Sequence, residues 1–250
     1  MQPGKLYIVA TPIGNLADIT LRALETLKSV DVVLCEDTRV SKNLLDHYQI
    51  SKPLISYHQH TEVKKIKEII AMLEEGKNLA LVTDAGTPGI SDPGGLLIHE
   101  VVRSVIPTVV EGSLIHSLRD SSTSLRSAQN DSSDIIIPIP GPSAAIAALS
   151  ISGFPTDKFV FMGFPPHKNK RQKYFKEVAA CEYTIVFYES GHRIKKCLQE
   201  LKEVLDAKRQ IMVCRELTKK FETVYRGTIE QVTEKMQDER GEFVIVVNTV

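Results

Sequence analysis

Cysteine is scarce in this chain, and it is never paired in sequence. Cys35, Cys181, Cys197 and Cys214 are widely separated and no C-x-x-C occurs, which argues against a disulfide framework or a zinc site. Three of them lie in apolar strand-like or helical runs and read as small buried hydrophobes. An excess of charge of either sign is missing too. The 31 basic and 31 acidic side chains leave a formal net charge of zero, so nucleic acid would have to be met by a local patch rather than by the chain as a whole. There is also no long unbroken apolar run. The most hydrophobic stretch, Ile135 to Phe154, is interrupted by Pro138, Pro140, Gly141 and Pro142, which excludes a continuous membrane helix. The opening MQPGK leads straight into a strand-like segment with no signal-peptide core, so a soluble, cytoplasmic protein is expected. Neither a G-x-G-x-x-G fingerprint nor a Walker A sequence is found.

What is present suits a globular protein of one large or two ordinary domains: 250 residues, 42% hydrophobic and 25% charged. In the first half, strand-like runs at Leu6–Ala10, Val32–Cys35, Leu54–Tyr57 and Leu79–Thr83 alternate with helical patterns. Thr20 is placed to cap a helix with Leu21, Leu24 and Leu27 on one face, and Gly76 to stop the helix of Thr61–Glu75. This alternation predicts an α/β fold with a mostly parallel sheet. Residues 111–134 are rich in Ser, Asp, Asn and Gln and read as a flexible surface insertion. Order resumes at Ile135. Strands at Phe159–Gly163, Thr184–Tyr188, Ile211–Arg215, Thr223–Gly227 and Phe243–Val247 follow one another closely, predicting a second α/β domain with a mixed sheet. The expected domains are 1–137 and 138–250.

Three segments draw attention as ligand-binding backbone. Ala10-Thr11-Pro12-Ile13-Gly14-Asn15 follows the first strand, where open α/β sheets bind ligands; alone it reads equally as a turn. Thr83 to Gly95 packs four glycines and two prolines into an irregular loop with Asp84 at a strand end. Such a loop offers backbone polar groups and a carboxylate to a ligand with ribose hydroxyls and an amino acid tail; it also reads as an elaborate turn. Pro138-Ile139-Pro140-Gly141-Pro142-Ser143-Ala144-Ala145 stiffens the entry to a small-residue helix that Ser143 can cap, and is equally an interdomain hinge. Polar residues just after predicted strands, Glu36, Asp37, Arg39, Glu189, His192, Arg193, Arg215 and Glu216, have the composition of a site that binds phosphate and polarises a hydroxyl. Each is as readily a structural ion pair. His167 to Tyr174 is the most basic and aromatic loop, with Lys168, Lys170, Arg171 and Lys173 for phosphates and Tyr174 for stacking.

In chain order, LYIVATPIGNLADITLRALETL, Glu36-Asp37-Thr38-Arg39, the loop from Thr83 to Gly94, PIPGPSA, FYES-x-HR at Phe187 to Arg193 and RELTK at Arg215 to Lys219 resemble the ribosomal RNA small subunit methyltransferase I family of the tetrapyrrole methylase superfamily. The resemblance spans nearly the whole chain; the segment 111–134 departs from the family pattern. It implies two α/β domains with S-adenosylmethionine (SAM) in the cleft between them, 2′-O-methylation of a cytidine ribose in small-subunit ribosomal RNA or the 30S subunit, and a homodimer. No metal or membrane is implied. SAM is expected against Pro12, Asp84, Ala85, Gly86, Thr87, Ser143 and Ala144. A base is needed to take the hydroxyl proton; Glu36, Asp37 and Glu189 are ranked in that order, with Arg39 beside them. Rival readings are a methylase of a tetrapyrrole intermediate and a non-catalytic, SAM-responsive RNA-binding protein. Deleting residues 111–134 is expected to leave cooperative thermal unfolding intact; its loss would place the segment in the core.

Overall fold

A computed structural model describes residues 2–58, 63–104 and 135–249. The expected insertion at 111–134 and the start of the helix predicted from Thr61 lie outside them. Two compact units divide the chain, one of residues 1–12 and 16–142 and the other of residues 13–15 and 143–250. The division falls at Pro142 rather than at the expected 137, because the fifth strand continues through Ile139 and pairs with the first.

In the first unit, β1 (Leu6–Val9), β2 (Val32–Cys35), β3 (Leu54–Ser56), β4 (Leu79–Leu81) and β5 (Ile136–Ile139) form a parallel sheet ordered β3-β2-β4-β1-β5. Helices α1 (Leu21–Ser29) and α2 (Thr38–His47) cover one face, with Ala23, Leu27 and Leu45 packed on Val9, Val33 and Ala80. Helices α3 (Val63–Glu74) and α4 (Gly95–Ser104) cover the other, with Ile66, Ile69, Leu73, Leu97 and Val101 packed on Leu6, Leu34, Leu79 and Leu81. Burial on both faces explains why these strands read as continuous apolar runs rather than alternating ones. The helix ends follow the sequence signals. The Thr20 hydroxyl accepts the Ala23 N–H at 3.1 Å, and Gly76, at φ +88°, closes α3.

The second unit holds α5 (Ala144–Ser152), β6 (Phe159–Phe161), α6 (Arg171–Ala180), β7 (Thr184–Ser190), α7 (Ile194–Val204), β8 (Gln210–Arg215), β9 (Thr223–Thr228), α8 (Ile229–Lys235) and β10 (Glu242–Val247). Its sheet, ordered β6-β7-β10-β8-β9, is parallel only at β6–β7. Alternation along the strands sends Ile185, Phe187, Ile211, Val213 and Ile245 toward α6, α7 and α8, and Val186, Met212, Cys214 and Val246 toward α5. Ser143 takes the N-cap position of α5, but its side chain makes no capping bond. Among the described residues, no helix is long and apolar enough to cross a membrane. Leu79 is fully buried in the middle of the first sheet. Leu79→Ala is expected to lower unfolding free energy by about 2–5 kcal/mol in a urea titration.

Candidate active site

The carboxyl ends of β1, β2, β4 and β5 lead into the four segments singled out in this half of the sequence. Helices α1 and α2, which follow β1 and β2, lie on one face of the sheet, and α4, which follows β4, lies on the other. The strand β4 therefore has a topological switch point on each side. Chain leaving adjacent strand ends in opposite directions opens a crevice there, the place where ligands bind in open α/β sheets.

Between β1 and β4 this crevice is closed by backbone. Thr11 and Gly86 form an isolated antiparallel bridge, Thr11 N–H donating to the Gly86 carbonyl at 2.8 Å and Gly86 N–H to the Thr11 carbonyl at 3.1 Å. The buried Thr11 hydroxyl donates to the Thr83 carbonyl at 3.0 Å. Gly86 sits at φ +88°, a conformation that disfavours any side chain there. Pro12 is buried next to this bridge, while Asp84 and Ala85 are exposed. The Thr87 hydroxyl donates to the Pro142 carbonyl at 3.3 Å. A Cβ on Gly141 would stand 3.0 Å from that of Ala10, so the PIPGP turn lies tight on the end of β1. The remaining two predicted SAM residues, Ser143 and Ala144, belong to the second unit, at the start of α5.

Between β2 and β4 the crevice collects carboxylates. The Asp37 N–H donates to Asp84 Oδ1 at 3.2 Å, and the Thr83 hydroxyl donates to Glu36 Oε2 at 3.3 Å. Three acids thus share one strand-end junction, and their environments push them apart. Burial first, then the neighbouring Asp84 charge, raises the Glu36 carboxyl above its ordinary value. Asp84, although exposed as a residue, has its carboxyl raised by the partial shelter of the junction and then by the Asp37 charge. Asp37 is held down at about 2 by hydrogen bonds from the Arg39 side chain and backbone; the closest ion-pair contact is 2.6 Å. Because Asp37 also caps α2 by accepting the Arg39 N–H at 2.8 Å, it is committed to structure and to charge. Of the three, Glu36 and Asp84 are the carboxyls whose proton affinity is raised, and Glu36 is the one held by a side-chain hydrogen bond from Thr83. Thr83, which no sequence reading assigned, positions it; the signal was its place immediately before Asp84 at the end of a strand.

Glu189 is placed differently from expectation. Strand β7 does not end before it but runs through to Ser190, with Glu189 opposite Phe243 on β10. The side chain is fully buried, 3.2 Å from Arg171 Nη2 and 2.7 Å from Arg193 Nη2, and it accepts the Ser190 N–H at 2.9 Å. Arg171 also meets Glu200 at 2.7 Å. The two guanidiniums continue to chain, Arg171 donating to the Pro166 carbonyl at 3.1 Å and Arg193 to that of Pro165 at 3.3 Å. Glu189 therefore anchors the loop ahead of α6 and has no free oxygen face for catalysis. The same burial corrects two RNA-contact assignments. Arg171 is turned into this network, and Tyr174 packs edge-on against Phe175 and Phe187 in the core. Lys168, Lys170 and Lys173 are exposed. Arg215, also buried, holds the Arg240 and Phe221 carbonyls and Asp238.

A family model described as Tetrapyrrole (Corrin/Porphyrin) Methylases matches residues 5–111 and 124–233. The chain belongs to this family. Within the tetrapyrrole methylases it groups with proteins named ribosomal RNA small subunit methyltransferase I. The one from Synechocystis sp. is 43% identical over 98% of this chain and 78% of its own length. The one from Mycoplasmopsis pulmonis is 42% identical over 97% of this chain and 96% of its own, and that from Thermotoga maritima is 38% identical over 98% of each. Solved tetrapyrrole methylases share the fold. The methyltransferase CobJ aligns with a TM-score of 0.64 at 18% identity, covering 99% of this chain and 95% of CobJ. Uroporphyrin-III C-methyltransferase from Thermus thermophilus, complexed with S-adenosylhomocysteine, aligns at 0.59 and 17%, covering 97% of each. The family match skips residues 112–123, which is the first part of the segment read from sequence as an insertion.

Breaking the Glu189 network leaves two guanidiniums facing a dry interior. Glu189→Ala is expected to lower unfolding free energy by about 3–5 kcal/mol, whereas Arg39→Ala, which removes an exposed partner, is expected to leave the unfolding midpoint where it is. Denaturant titration of both variants checks this.

Proposed function

We propose that the protein transfers a methyl group from SAM to small-subunit ribosomal RNA, at the 2′-hydroxyl of a cytidine. The observation that carries the reading is the junction at the ends of β2 and β4, where a carboxyl with a raised proton affinity stands beside an exposed one on a glycine-opened loop. The curated relatives at 38–43% identity carry a ribosomal RNA methyltransferase name, whereas the solved tetrapyrrole enzymes are below 20% identical. This favours RNA over a tetrapyrrole as the substrate.

The residues present fit SAM. Asp84 offers an exposed carboxylate to ribose hydroxyls or the amino group. Ala85 and Gly86 keep side-chain bulk away from the strand end, and Pro12 and Thr87 fix the adjacent backbone. Ser143 and Ala144, assigned to SAM by the family resemblance, form the small-residue start of α5 in the second unit. When bound, SAM supplies an electrophilic methyl on a positive sulfur. Glu36, in its ionised form, would take the proton that the 2′-hydroxyl gives up on methylation. Thr83 holds the Glu36 carboxylate in place. Arg39, mostly exposed and already paired with Asp37, presents positive charge to a phosphate next to the reacting ribose. Lys168, Lys170 and Lys173 form the exposed part of the RNA contact. The partner is the ribosomal RNA or the 30S subunit, the working form a homodimer, and the compartment the cytoplasm, all on the strength of the family resemblance.

Because the Glu36 carboxyl is raised, its base form is depleted at low pH and restored as pH climbs through its own value. Methyl transfer to 30S subunits from radiolabelled SAM is expected to rise with pH along a limb that lies above the ordinary carboxylate value of about 4.3. Glu36→Gln is expected to lose that limb and roughly 10²–10⁴-fold in rate while still binding SAM in calorimetry. Label appearing on a porphyrinoid, or on neither substrate, would overturn the reading.

A further inference from the structure

The geometry points to a binding site for one backbone phosphate of a polynucleotide in the second unit, built by Lys196 of α7 together with Lys168, Lys170 and the start of α6. It deepens the proposed RNA reading and rests on it for the source of the phosphate. A concavity of about 540 Å³ is lined by His167, Lys168, Lys170, Lys173, Lys196 and Glu200. Its charge balance is strongly one-sided in a chain whose formal net charge is zero. The lining carboxylate is already spent, since Glu200 sits 2.7 Å from Arg171 Nε.

The lysines of α7 separate by role. Lys195 is ion-paired with Glu239, and Lys202 with Glu230 at 2.9 Å. Lys196, between them in sequence, has no ion pair among the described residues and opens on the concavity. Lys168 and Lys170 are likewise exposed and without an ion pair among the described residues, and Lys173 reaches Glu177 only at 3.6 Å across an exposed turn. Like charges gathered around a hollow repel one another unless an anion enters. The floor adds to this: Lys170 occupies the N-cap position of α6 with φ +65°, no side chain caps the helix, and the first-turn residues Gln172 and Lys173 line the hollow, which puts the positive end of the helix dipole beside it. The walls are rigid, because Arg171 and Arg193 tie the Pro166 and Pro165 carbonyls to buried Glu189. A preformed pocket of separate point charges suits a phosphate oxygen cluster better than a flat base.

Equilibrium binding of a small-subunit ribosomal RNA fragment, followed by fluorescence anisotropy from low to high salt, tests the site. Each of Lys196→Ala and Lys168→Ala is expected to weaken binding at low salt by several-fold or more and to reduce the slope of log K against log salt by about 1. Lys195→Ala, which removes a paired lysine of the same helix, is expected to keep the wild-type slope. A wild-type slope in Lys196→Ala overturns the site while leaving the RNA methyltransferase reading standing. Loss of slope in Lys196→Ala, with no methyl transfer to 30S subunits by the wild-type protein, supports the site and overturns that reading instead. Absence of RNA binding by the wild-type protein overturns both. Replacing chloride by inorganic phosphate at constant ionic strength identifies the source: competition at micromolar phosphate would mark a free-anion site and overturn the polynucleotide assignment.

Discussion

The position of β4 between β1 and β2 is the constraint from which the rest of the site follows. The helices that follow its neighbours, α1 and α2, lie on one face of the sheet, and α4, which follows β4, lies on the other. Right-handed crossovers allow no alternative once that strand order is set. Loops that diverge at their roots part around the strand ends, where ligands bind in open α/β sheets. On the β1 side the gap is stitched by the paired amides and carbonyls of Thr11 and Gly86; on the β2 side it is left to Glu36, Asp37 and Asp84. Repulsion among acids so placed would be costly without a sink, and Arg39 provides one by fixing the charge of Asp37. The strain of the cluster then falls on Glu36 and Asp84, whose proton affinity rises. Separation of proton affinities within a group of similar side chains is what acid–base chemistry at neutral pH requires.

Much of this architecture was legible in the sequence, for reasons that are local. Strands buried on both faces are short apolar runs, and β2, read as Val32–Cys35, has those bounds in the structure. Helix ends are marked by residues acting within one turn, such as Thr20 and Gly76. The motif-bearing loops were visible because glycine and proline concentrate where backbone must bend sharply at strand ends. What was hidden depends on partners far along the chain. Arg171 looks like one more cation in a basic loop. Its fate is decided by Glu189 and Glu200, which lie 18 and 29 residues away. Tyr174 reads as a stacking platform until α6 turns it onto Phe187. Lys196 closes the short basic stretch that begins at His192, and only the approach of α7 to the loop sets it apart from its neighbour Lys195. The extra two residues of β7 carry no signal because glutamate and serine are ordinary residues beyond a strand end.

The two units divide the labour unequally. The first places a few polar groups on backbone held by parallel pairing, so that single hydrogen bonds such as that from Thr83 to Glu36 set the geometry. The second sets charge by ion pairing, with Arg171, Arg193 and Arg215 all turned inward onto carbonyls and acids. Guanidinium groups suit that task, since a planar fork can satisfy several acceptors at once while remaining charged.

The anchoring of Pro165 and Pro166 from beneath has an evolutionary consequence. The shape of that loop is guaranteed by side chains that never meet solvent, so its outward lysines are free to change without refolding anything. A lineage can then drift in which surface charges it displays, exploring new polyanionic targets, while the inward arginines stay constant. The loop behaves as a mount with interchangeable fittings, and divergence among descendants should accumulate on its outer side first.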